Sequence, residues 1–131
     1  MTSSLTEFIE TEYDAAILIY CLTALADNYI RKEEIQEIHS EMELLGLESL
    51  SDFKDYKISN WVLFINNLQK ISESVSFKDI ENSLEALARK ISSPSVKKTV
   101  LSAVLRIAYA DEDFHPNEKY VAKELSKFWN L

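Results

Sequence analysis

Apolar and polar positions follow helical periods along almost the whole chain. The run Ala15-Ala16-Ile17-Leu18-Ile19-Tyr20-Cys21-Leu22-Thr23-Ala24-Leu25-Ala26 is apolar on nearly every side, which predicts a helix over about 6–26 buried all round. Glu7, Glu10, Glu12 and Asp14 put negative charge near its start, where the helix dipole favours it. A second helix is predicted over about 32–45, with Ile35, Ile38, Met42 and Leu45 on one face and Glu33, Glu37, Glu41 and Glu43 on a solvated one. Gly46 then stands where a left-handed residue commonly ends a helix, with Leu47 placed to pack back on the last turn. The polar stretch 48–59 reads as a loop with at most a short helical turn. From Ile58 to about Ser72 the amphipathic pattern resumes through Trp61, Phe64, Ile65, Leu68 and Ile71. Ser76 is a cap for a helix whose inner stripe is Ile80, Leu84, Leu87, Ala88 and Ile91. After Ser92-Ser93, Pro94 suits the first turn of the next helix. That helix, about 94–111, is densely apolar like the first, with Val96, Val100, Leu101, Val104, Leu105, Ala108 and Tyr109. The last, about 116–129, turns Tyr120, Val121, Leu125 and Phe128 inward and sets Lys119, Lys123 and Lys127 on an outer ridge.

These elements predict an all-α fold: a compact bundle of about six helices forming one domain over residues 1–131. The two densely apolar helices end alike. Ala26-Asp27-Asn28-Tyr29-Ile30-Arg31-Lys32-Glu33-Glu34 and Ala110-Asp111-Glu112-Asp113-Phe114-His115-Pro116-Asn117-Glu118 both read Ala-Asp-x-x-apolar-x-x-x-Glu, 84 positions apart. A repeated helix–acidic loop–helix unit predicts pseudo-twofold symmetry. Helices 6–26 and 94–111 should then pair at the centre, with Leu22 and Leu105 almost wholly buried and the loops 27–31 and 111–115 side by side.

Composition narrows the function. One glycine and two prolines in 131 residues favour helices over tightly turned sheets. A single glycine also excludes the glycine-rich loops that cradle phosphates. Acidic residues outnumber basic ones, 22 to 14, for a net charge of −8. That balance argues against nucleic acid and anionic membranes and leaves a cation or a basic protein as the expected partner. Cys21 is the only cysteine. Met1-Thr2-Ser3-Ser4 lacks the basic and apolar regions of a signal peptide, and the longest apolar run spans roughly 18 Å as a helix, short of a bilayer. The expected location is the cytoplasm.

The paired Ala-Asp-x-x-apolar-x-x-x-Glu motifs, near the two ends of an all-helical chain, resemble the signature of the TerB-like family. That family takes in the tellurite-resistance protein TerB and the domain at the start of the DjlA co-chaperones. The resemblance runs from the first helix to the closing Glu124-Leu125-Ser126-Lys127-Phe128-Trp129-Asn130-Leu131. The family usually has Gly after the Asp, where this chain has Asn28 and Glu112, and Ser or Thr three residues before the Glu, where it has Arg31 and His115. The resemblance implies a role near metal or chemical stress.

Two readings of the repeated carboxylates stay open. In one, Asp27, Glu34, Asp111, Asp113 and Glu118 converge as oxygen ligands for a divalent cation, calcium or magnesium. In the other, Glu34 and Glu118 sit third in their helices and accept the N-cap amide, while Asp27 and Asp111 satisfy loop amides. The loop is not an EF-hand, since counting twelve from Asp111 reaches Ala122 where a bidentate Glu belongs. Zinc is disfavoured because His39 and His115 are far apart in sequence and Cys21 sits within a buried helix. No nucleophile–base constellation stands out, so no enzymatic activity is expected. The glutamates of the second helix are a solvated face or a docking surface for a basic partner.

Overall fold

A computed structural model describes residues 9, 11–26, 30–48, 55–110 and 116–131, with the side chains of 46–48 and 55–60 outside that description. Among the described residues the chain is all-helical: α1 (Glu12–Leu25), α2 (Lys32–Glu48), α3 (Asp55–Asn66), α4 (Leu68–Ile71), α5 (Phe77–Arg89), α6 (Pro94–Tyr109) and α7 (Pro116–Trp129).

α1 begins at Glu12, later than the expected Thr6. Thr11 is extended and closes a capping box: the Asp14 N–H donates to Thr11 Oγ1 at 3.2 Å, and the Thr11 N–H donates to Asp14 Oδ2 at 3.2 Å. From Asp14 to Leu25 every residue is at most 1% exposed. Thr23 is tolerated there because its hydroxyl donates to the Ile19 carbonyl at 2.8 Å.

α1 packs most extensively on α6 and is enclosed by α2, α5 and α7 as well, so the central pairing is as expected. Leu22 is fully buried, but Leu105 is 39% exposed. The face of α6 turned to the core is Val96, Val100, Ala103, Val104, Ile107 and Ala108. Leu101, Leu105 and Tyr109 follow one another at four-residue spacing along its outer edge, and Tyr109 is 56% exposed. Unlike α1, α6 has solvent on one side. Phe128 is likewise exposed where burial was expected, and its neighbour Trp129 takes the inner position, its indole N–H donating to the Ala88 carbonyl at 3.1 Å.

Two boundaries also differ. α2 runs through Gly46 to Glu48, and no glycine has positive φ. Glycine permits a left-handed exit without compelling one, and its cost within a helix is only about 1 kcal/mol. The expected helix 58–72 starts earlier and is cut in two at Asn67, whose side-chain amide donates to the Leu63 carbonyl at 2.7 Å. The Ser76 cap, the buried stripe of α5 and Pro94 in the first turn of α6 are all as the sequence predicts, and Asp79 completes the cap as a capping box.

Replacing Leu22 with Ala is expected to cost about 2–5 kcal/mol. Leu105→Ala should stay within about 1 kcal/mol, because a half-exposed side chain leaves no cavity. Denaturant melts of the two variants check this, and equal losses would contradict the orientation of α6.

Candidate functional site

The two copies of the repeat are built alike where they are described. Ala26 (φ −60°, ψ −31°) and Ala110 (φ −59°, ψ −32°) close their helices with the same backbone angles, each N–H turning back to the carbonyl three residues earlier, Thr23 and Ile107. Downstream, Glu34 and Glu118 are each the third residue of a helix, and both are completely buried. The Arg31 N–H donates to Glu34 Oε1 at 3.1 Å, which is the N-cap bond that this position offers. The flanks of the two loops also meet: the Asn117 side-chain amide donates to the Ala26 carbonyl at 2.8 Å. The start of α7 is thereby fastened to the end of α1. Asp27, Asp111 and Asp113 lie outside the described residues. Among those that are described, no three His, Cys, Asp or Glu side chains gather as a metal cluster.

A second polar cluster lies between α2 and α6. Glu41, expected on a solvated face, is only 2% exposed. Arg106 grips it along one edge of the guanidinium, Nε to Oε2 at 2.6 Å and an Nη to Oε1 at 2.8 Å. Burial pushes the Glu41 carboxyl up, but hydrogen bonds from Arg106 and Glu37, together with the Arg106 charge, hold it below the ordinary carboxylate range. The hydrogen bond to Glu41 has the opposite effect on Glu37, raising it to about 6 with help from burial and the Glu41 charge. The signal for this burial was the spacing 34–38–41–45, which puts Glu34 and Glu41 on the same helical stripe as Ile38 and Leu45.

Asp14 is a further buried carboxylate. It caps α1 and accepts the Trp61 indole N–H at 2.9 Å, so one side chain both starts α1 and seats α3. Cys21 is fully buried, and burial drives its thiol far above the ordinary range, which makes it inert as a nucleophile. No helix among the described residues is long and apolar enough to cross a membrane.

A family model described as tellurite resistance protein TerB matches residues 63–131, just over half of the chain. The matched stretch includes the second copy of the repeat, and the first copy precedes it. Neither the curated proteins nor the solved structures give a significant match.

Because Glu37 titrates higher in the folded protein than its ordinary 4.5, its contribution to stability is complete below that value and is lost as pH rises through about 6. Glu41 acts in the opposite sense and only at lower pH, as its carboxylate becomes protonated. Glu37→Gln keeps a donor facing Glu41 at every pH. The fall in melting temperature on raising the pH through that window should therefore be smaller in Glu37→Gln than in the parent. Identical pH profiles would rule out a proton shared between the two glutamates.

Proposed function

The chain belongs to the TerB family, and on that premise we propose that it is a non-enzymatic cytoplasmic module that binds a divalent cation at its repeated acidic loops. The observation behind this reading is the pair of completely buried glutamates, Glu34 and Glu118, at equivalent positions of two units whose flanks adjoin through Asn117 and Ala26. Calcium or magnesium suits such ligands, since hard cations take carboxylate and carbonyl oxygens. Asp27, Asp111 and Asp113 are the further ligands proposed. The link to tellurite or general stress responses follows the family name alone.

A second reading is favoured by the bond from the Arg31 amide to Glu34, which is a cap in its own right. On this reading the repeated carboxylates fix the two helix starts, and the domain is an acidic surface for a basic protein partner.

Glutamine also accepts the N-cap bond but lacks the charge that attracts a cation. The double variant Glu34→Gln, Glu118→Gln should therefore fold and lose any cation-induced rise in melting temperature. At about a hundredfold over the dissociation constant, the cation should stabilise the parent by about 2.7 kcal/mol. In a domain of this size that is a shift on the order of ten degrees. A parent that shows no shift with calcium, magnesium, manganese or zinc would leave the capping reading in place of the metal one.

A further inference from the structure

We propose that the groove between the end of α5, the start of α6 and the end of α7 binds a short acidic peptide segment carrying one large apolar side chain. It lies at the opposite end of α6 from the repeated loops, and the inference stands whether or not a cation binds there.

The groove measures about 460 Å³, within the range of sites that take small ligands or single anchoring side chains. Its floor is apolar, formed by the buried Ile91 and Trp129. The bond from the Trp129 indole to the Ala88 carbonyl fixes that floor before anything binds. Phe128 lines the groove at 38% exposure, which gives an apolar anchor an aromatic surface to cover. Arg89 and Lys97 line it as well.

Charge determines the class of ligand. Residues 89–98 hold Arg89, Lys90, Lys97 and Lys98 and no acid, in a chain whose net charge is −8. Among the described residues, two glutamates are bonded to this segment. Glu12 is engaged with the Ser93 amide at 3.2 Å. Glu85 pairs with Arg89 at 3.1 Å, with side chains 51% and 75% exposed, and so solvated a pair is readily exchanged for a ligand carboxylate. The 16 residues of α6 separate this basic end from the repeat by about 24 Å, several times the screening length of about 8 Å in physiological salt. A small ligand in the groove therefore feels the local cations and not the net charge. An extended polyanion such as nucleic acid or an anionic membrane would reach past the basic end to acidic surface. A short peptide would not.

The test is titration of ¹⁵N-labelled protein with acetyl-Glu-Glu-Asp-Phe-Glu-Glu-amide, followed through the Trp129 indole and the amides of Lys97 and Phe128. Saturable shifts at these positions are expected. The double variant Arg89→Glu, Lys97→Glu changes two side chains outside the core, and should fold and bind at least tenfold more weakly. Replacing the peptide's Phe by Ala, or Phe128 of the protein by Ala, should also weaken binding. The proposal is overturned if the shifts map elsewhere, or if the charge-reversed protein binds equally well. It is also overturned if a peptide with Lys for every acid binds as tightly, or if phosphatidylglycerol vesicles bind at this surface and the peptide does not. Binding that appears only after removal of residues 1–8 would overturn it too, because the occupant would then be the chain itself.

Discussion

The complete enclosure of α1 is the constraint on which the other elements depend. A helix with no solvent face must be covered on every side, and α2, α5, α6 and α7 supply the cover. Apolar burial drives this arrangement but has no direction. A helix apolar all round therefore has no amphipathic face to set its rotation or axial position. Polar contacts at its two ends do that instead. At the start, Asp14 closes the capping box and receives Trp61, while Glu12 receives the Ser93 amide. At the end, the Ala26 carbonyl receives Asn117. Hydrophobic burial thus gathers the helices, and a few directional bonds at the rim define the register.

That division explains what was legible in the sequence. The central helix, the stripe of α5, the Ser76 cap and Pro94 rest on local periodicity and capping chemistry, which a sequence displays directly. The outward turn of Leu105 and Phe128 depends on how much of α6 and α7 their neighbours cover, and apolar character does not fix that. Asn67 breaks a helix whose apolar pattern continues unbroken, because its side chain competes for a backbone carbonyl. In the candidate site, the repeat identified Glu34 and Glu118 as equivalent, but not that both are wholly buried. The charge of Glu41 predicts a surface position, while its spacing places it on the buried stripe with Ile38 and Leu45. Its partner Arg106 lies 65 residues away, beyond the reach of any local pattern.

The buried carboxylates have a common logic. Asp14, Glu34, Glu41 and Glu118 all lie inside, and the first three meet different donors: an indole for Asp14, a backbone amide for Glu34 and a guanidinium for Glu41. Replacing such groups with apolar ones often preserves stability, so the usual reason to keep them is specificity or function. For Asp14 the geometry supplies the reason, since it joins α1 to α3. For Glu41 it is the tie between α2 and α6. Glu34 and Glu118 differ in being related by the repeat. A cap needed at one helix start gives no reason for a matching glutamate 84 residues later, unless the two helix starts share a structural task. The bond from Asn117 to Ala26 bears on such a task only for the second unit, whose helix start it holds against the end of α1. Any ligand recognised by both units must bind where these flanks meet, so there the repeat that organises the fold also sets the geometry of the candidate site.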